Sequence, residues 1–187
     1  MPKKTDRREL LADTALRLID ELGLAQVTHR AVDQAAGVPA GTTSNYFRTR
    51  AALYEAIARR ILDQQLAAEQ EQPAGPSAAT PQDVAELLAA AVDAGTGPAR
   101  NRYLARFELS LEAARSPELA ALMRELRAVT LRIRATQIRA AYPHVTQEQV
   151  DAIASLLTGI AFDRLTLDVP AMETPAIARA LLRGFLD

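Results

Sequence analysis

A chain of 187 residues without cysteine is one ordinary domain, or a small domain fused to a larger one, and it excludes disulfides, thiolate metal sites and cysteine nucleophiles. Its only histidines, His29 and His144, exclude a histidine-rich metal cage, and no apolar run reaches the ~18 residues of a membrane span. The net charge of −1 is unevenly spread: residues 1–60 carry ten Lys/Arg against seven Asp/Glu and the remainder twelve against sixteen, so a polyanion would meet the N-terminal end.

The composition selects helices. Alanine (38) and leucine (25) far outnumber valine (nine) and isoleucine (eight), and no alternating strand pattern is flanked by hairpin turns. The expected fold class is all-α, with about nine helices near 6–22, 29–35, 40–46, 50–70, 81–94, 98–115, 117–141, 147–167 and 175–186. Met1-Pro2-Lys3-Lys4-Thr5-Asp6-Arg7-Arg8 puts no apolar stretch behind its charges, so no signal peptide and a cytoplasmic protein are expected. The first helix then shows a stripe of Leu11, Ala15, Leu18 and Leu22, and Gly23 and Gly37 stand where helices should end. Gln70 to Ser77, rich in Gln, Pro and Gly, reads as a loop. Thr80-Pro81, Gly97-Pro98, Ser116-Pro117 and Thr174-Pro175 mark helix starts, because proline's missing N–H costs nothing at the first helical position. Thr146-Gln147-Glu148-Gln149 reads as a capping box.

Residues 28–47 form a short helix, a glycine turn at Gly37-Val38 and a second short helix. That is the helix-turn-helix plan, whose second helix enters the DNA major groove. At 100° per residue, Phe47, Ala40 and Thr43 point to the core with Ser44 on the flank, while Gly41, Thr42, Asn45 and Tyr46 face outward. Small and hydrogen-bonding groups suit a groove floor: Asn pairs with adenine, Thr bonds either partner or touches a thymine methyl, and Tyr46 reaches a phosphate. The plainer alternative is a tight helical corner with ordinary solvated side chains.

A wider pattern surrounds this motif: Ala15 to Leu24 at the end of the first helix, Thr28-His29-Arg30-Ala31-Val32, Ala36-Gly37-Val38, Gly41-Thr42, Tyr46-Phe47, Thr49-Arg50 and Leu53. In order and spacing, over about residues 7–60, the chain resembles the tetracycline-repressor (TetR) family of bacterial transcription regulators. Departures are Asp33 where a small residue is usual, Thr43 for an apolar residue, Ser44 for Tyr, Pro39 for Ser, Ala51 for an acid and Arg50 for Lys. Pro39 can still open the reading helix.

The resemblance implies a helix-turn-helix head over 1–50 and a helical ligand-binding and dimerisation body over 51–187. It also implies contact roles on double-stranded DNA. Thr28 looks like a phosphate contact, and Arg30 reaches a guanine or a phosphate. Ala40, Gly41, Thr42 and Ser44 lie nearest the bases; Asn45, Tyr46 and Arg50 look like backbone positioners, with base reading also open to Asn45. Lys3, Lys4, Arg7 and Arg8 resemble basic arms, whereas Arg48, Arg59 and Arg60 read as a solvated face.

In the body, Tyr103, Phe107, Leu111 and Ala114 share a face with Glu108 at its edge, and the next long helix is apolar on more than one side. Tyr103, Phe107, Glu108, Met123 and Phe162 are candidates for a small-molecule effector site, mainly apolar, with plain core as the alternative. The terminal helix is apolar around most of its circumference, which would leave an exposed patch on a monomer. Leu157, Ala161, Ile177, Leu181 and Phe185 are therefore expected in a four-helix homodimer interface. No cofactor, metal or membrane partner is expected, and no catalytic constellation is present. The function expected is a dimeric, ligand-responsive DNA-binding regulator, a repressor released from a pseudo-palindromic operator by a small molecule. A helical adaptor or unresponsive regulator and, more remotely, a small enzyme are the alternatives.

Overall fold

The structure is a computed structural model that describes residues 4–71, 80–97, 99–167 and 173–186. The described residues form nine helices and no strand: α1 (Lys4–Leu22), α2 (His29–Ala35), α3 (Thr42–Tyr46), α4 (Arg50–Glu71), α5 (Pro81–Asp93), α6 (Arg100–Ala113), α7 (Pro117–Arg139), α8 (Gln147–Thr166) and α9 (Thr174–Leu186). The all-α class and the order of helices follow the expectation. None of these helices is long and apolar enough to cross a membrane. Gln70 and Glu71 are the last residues of α4, while residues 72–77 of the expected loop, Lys3 of the basic arm and Pro98 lie outside the described residues.

Packing divides the chain into two compact units, residues 1–64 with 101–126, and residues 65–100 with 127–187. These packing units cut the chain elsewhere than the head over 1–50 and body over 51–187 that the resemblance implies. In the first unit most of α4 and α6 belong with the head, because α4 buries Leu53, Tyr54, Ile57, Ala58, Ile61 and Leu62, and α6 buries Ala105 and Leu109. The buried face of α1 is broader than a single stripe: Leu11, Ala12, Ala15, Leu16, Leu18 and Ile19 are all covered, and Leu22 is exposed. Leu111, expected on the apolar face of α6, is 69% exposed, since the buried face of that helix is the one through Ala105 and Leu109.

The second unit is organised around α5, α8 and α9, whose packing buries Val84, Leu88, Val92, Val150, Ile153, Leu157, Ala178 and Leu182. The expected cap at Thr146 forms: its hydroxyl accepts from Gln149 N–H at 3.2 Å, and Gln149 Oε1 accepts from Thr146 N–H at 2.9 Å. Gln149 then donates its Nε2 to the carbonyl of Phe185 at 2.7 Å, tying the start of α8 to the end of α9. At the other end Asp93 accepts from Arg164 Nη1 at 2.9 Å and from Thr174 Oγ1 at 2.5 Å, and Arg164 also donates to Thr174.

Candidate nucleic-acid interface

Two tight turns build the helix pair. Val38 N–H donates to the Asp33 carbonyl at 3.0 Å across Gly37, whose φ of +63° is a left-handed conformation that glycine adopts without a Cβ penalty. Gly41, at φ +86°, does the same immediately before α3. The reading helix therefore begins at Thr42, two residues later than expected. Pro39 does not open it; the Pro39 carbonyl instead accepts from Thr42 N–H at 3.1 Å, closing a turn. Ala40 sits in that turn and is exposed rather than in the core, because a helical projection does not apply to a residue outside the helix. Thr43 and Phe47 are buried as expected, at 0% and 1% exposure.

The polar groups of this region are largely turned inward. Asp33, 4% exposed, accepts from Gly41 N–H and Thr43 N–H, each at 2.7 Å, and from Thr43 Oγ1 at 2.5 Å. Burial pushes its carboxyl upward, but these three bonds, with the nearby His29, outweigh that and hold it below the ordinary aspartate range. Thr42 Oγ1 donates to the Pro39 carbonyl at 2.6 Å and Ser44 Oγ to the Gly41 carbonyl at 2.9 Å, so both oxygens keep lone pairs for an outside donor. At the far end of α3, His29 Nε2 donates to the Phe47 carbonyl at 2.6 Å. Arg8 Nη1 donates to the Tyr46 carbonyl at 3.2 Å, with its guanidinium 4.7 Å from the Phe47 ring centre.

What remains outward is a compact surface. Thr28, Arg30, Ala40, Gly41, Ser44 and Asn45 are exposed, and Thr42 and Tyr46 are half-buried. Thr28 caps α2 by accepting from Ala31 N–H at 3.2 Å, which leaves its hydroxyl proton to donate. Arg50 is exposed but engaged: Nε donates to Tyr54 Oη at 2.6 Å and Nη2 to the Ala25 carbonyl at 2.8 Å. Tyr54 Oη donates in turn to the Leu24 carbonyl at 3.0 Å, and Glu108 Oε2 accepts from Leu24 N–H at 2.7 Å. Side chains from α4 and α6 thus hold the turn between α1 and α2 from both sides. Arg60 is not a solvated cation either. It grips Asp13 with two bonds of 2.7 and 2.8 Å, which raise its pKa.

The residues of the other expected sites are placed as follows. Tyr103, Phe107 and Met123 are half-buried. Glu108 accepts through Oε2 from Leu24 N–H at 2.7 Å. Phe162 is 42% exposed, so it points out of the fold and not into an enclosed site. Leu157 and Ala161 are buried within their own chain, at 5% and 2% exposure, which leaves them little surface for a partner. Ile177 and Leu181 are half-buried and Phe185 is exposed. Two clefts of about 270 and 300 Å³ lie in the first unit, one lined by Arg50, Tyr54, Glu112 and Leu119, the other by Arg8, Phe47, Arg59 and Leu122. Neither is lined by Tyr103, Phe107 or Met123.

Periodicity does not show the grip of His29, Arg8 and Asp33 on α3; the signal the sequence offers is that Asp33 and Thr43 each depart from the usual pattern. This geometry, a five-residue helix held at both ends with small polar groups outward, defines a helix-turn-helix DNA-binding protein. Residues 11–57 match the model of bacterial regulatory proteins of the tetR family, and residues 79–187 match the tetracyclin repressor-like C-terminal domain. The chain belongs to the TetR family of transcriptional regulators. It is 30% identical to the HTH-type transcriptional regulator BetI of Burkholderia thailandensis over 166 residues, 86% of this chain and 84% of that protein. The multidrug binding protein EbrR, solved with ethidium, superposes with a TM-score of 0.74 at 26% identity, covering 97% of this chain and 99% of that one. A TetR-family member from Streptomyces coelicolor A3 superposes at 0.71, also at 26% identity, over 97% and 98% of the two chains.

Proposed function

We propose that this regulator is a homodimeric repressor that reads a pseudo-palindromic operator with α3 and leaves it when a small molecule binds the body. The observation that carries the reading is the exposed surface formed by Gly41, at the cap of α3, with Ser44 and Asn45 on it, while Asp33 of α2 meets the polar needs of the helix start. Such a face enters the major groove without stranding donors or acceptors, and its side chains are free to pair with base edges. Thr28 and Arg30 contact the phosphates on either side, Tyr46 adds a backbone contact, and Arg50 supports the head.

Dimerisation is proposed through the outer faces of α8 and α9. Leu156, Phe162 and Phe185 are 44%, 42% and 38% exposed, a cost in water that a second copy would remove. A Cβ placed at Gly159 or Gly184 would meet open space, so two backbones can approach closely there. Ile177 and Leu181 flank the patch. The assignment moves the interface off Leu157 and Ala161 and gives Phe162 to it.

For the effector we propose a mainly apolar molecule held by Tyr103, Phe107 and Met123; support comes from the structural relative that binds ethidium and, in another crystal, proflavin. Ligand acts by its preference for the released state, about 1.4 kcal/mol for each tenfold in affinity. Selection of bound sequences from random DNA tests the reading. The expected outcome is two half-sites about 10 base pairs, or ~34–36 Å, apart. No enriched sequence at low salt would refute it.

A further inference from the structure

A helix of five residues cannot hold itself in water, so the direction of α3 comes from what grips it. His29 and Arg8 hold only its last turn, through the carbonyls of Phe47 and Tyr46. Its start is held by one side chain, Asp33, through Gly41 N–H, Thr43 N–H and the Thr43 hydroxyl. Both Asp33 and Thr43 are buried. Either alone would be costly there: an unpaired carboxylate in a core, or a hydroxyl with no acceptor. Together each satisfies the other. The contact between α2 and α3 is thus directional and charge-assisted, where two apolar side chains would only press against each other.

We propose that Asp33, with Thr43 as its partner, is the positioning residue that sets the direction of the reading helix and so the sequence it selects. The inference rests on α3 being the reading helix. Ser44 and Asn45 follow Thr43 directly and are exposed, so a pivot at Thr43 carries both away from their base edges. Thr28 and Arg30 stand on α2 and at its cap, on the other side of the turn, and keep their phosphate contacts.

The test uses the full chain. Duplexes selected by the wild type from random DNA, and unrelated duplexes of equal length, are titrated with wild type, Asp33→Ala, Thr43→Val and the double variant. Circular dichroism confirms folding at the assay temperature, and selection is repeated with each variant. Asp33→Ala should bind the selected duplex about 10- to 100-fold more weakly, the loss expected for bonds to a charged group. Its binding to unrelated DNA, carried mainly by Thr28 and Arg30, should fall far less. The double variant, which strands no hydroxyl, should regain part of the loss and select a different sequence at the positions read by α3. A purely structural role would weaken both duplexes in parallel, and that result, or an Asp33→Ala variant with unchanged affinity and selection, overturns the proposal. If Asp33→Ala does not fold, Asp33→Asn, which keeps the shape and one acceptor, should show the same selective loss, and the same two results overturn it. A wild type that selects no sequence refutes the function as well; selective wild type with indifferent variants refutes this inference alone.

Discussion

The reading head and the α8–α9 surface treat their exposed groups in opposite ways. Around α3 the hydroxyls of Thr42, Thr43 and Ser44 all donate inward, and what faces out is small and polar. Along α8 and α9 the chain leaves Leu156, Phe162 and Phe185 exposed. The first surface is complete in water and can wait for a polyanion. The second gains by being covered, at roughly 25 cal/mol for each Å² of apolar area removed from water. In the function proposed above, the first surface makes a reversible contact and the second takes a lasting partner.

The largest effect should follow from placing a charge on the apolar surface. Phe185→Glu should give a monomer at micromolar concentration by light scattering, because Phe185 keeps 38% of its surface exposed and stands outside the buried core. An unchanged dimer mass would remove this patch from the interface. Leu181→Glu is the less clean variant, since Leu181 is more deeply covered within the chain than Phe185.

Next in size is Asp33→Ala, which should lower stability in urea by about 1.5–3 kcal/mol through loss of bonds to a buried charge. The pH dependence has a defined sign. The folded-state carboxyl sits below its ordinary value, so its contribution is complete above the ~3.9 of an unfolded aspartate and is lost as pH falls through the folded-state value. His29, on α2, is the ionisable group beside it. Urea midpoints measured from pH 6 downward should therefore fall less in Asp33→Ala than in wild type over the acid range; equal slopes would assign the acid loss to other groups.

In the second unit Thr146→Ala should cost about 1 kcal/mol, the usual worth of an N-cap, seen as a lower melting temperature. Arg60→Ala should cost less, under about 1 kcal/mol, because Asp13 is 40% exposed and the pair is screened. Its effect should shrink further in high salt, whereas that of Thr146→Ala should not.

These differences mark what is legible in a sequence. The capping box of Thr146 and Gln149 closes within four residues, so its partners are visible side by side. The start of α3 is set by a carboxylate ten positions earlier, and no local signal states that Asp33 turns toward Thr43. Periodicity placed Phe47 and Thr43 in the core because they lie in or next to the helix; it misplaced Ala40, which a left-handed Gly41 keeps outside it. On α8 the residues are apolar on two sides, and hydrophobicity alone does not say which side meets α5 and α9. Leu157 and Ala161 went to the chain's own core, while Leu156 and Phe162 stayed outside. Glu108 looked like a boundary acid, and its use by Leu24 N–H, 84 positions away, is a tertiary fact.

The central claim is that the exposed polar face of α3 reads bases. Its most direct measurement is the sequence preference of Asn45→Ala beside wild type, by competition among duplexes that differ from the selected operator at one base pair. Asn45 is exposed, so the substitution leaves the fold unchanged. Discrimination should collapse at one position in each half-site, by about 1–3 kcal/mol, and persist at the others. An Asn45→Ala protein with the affinity and preference of wild type at every position would contradict the account.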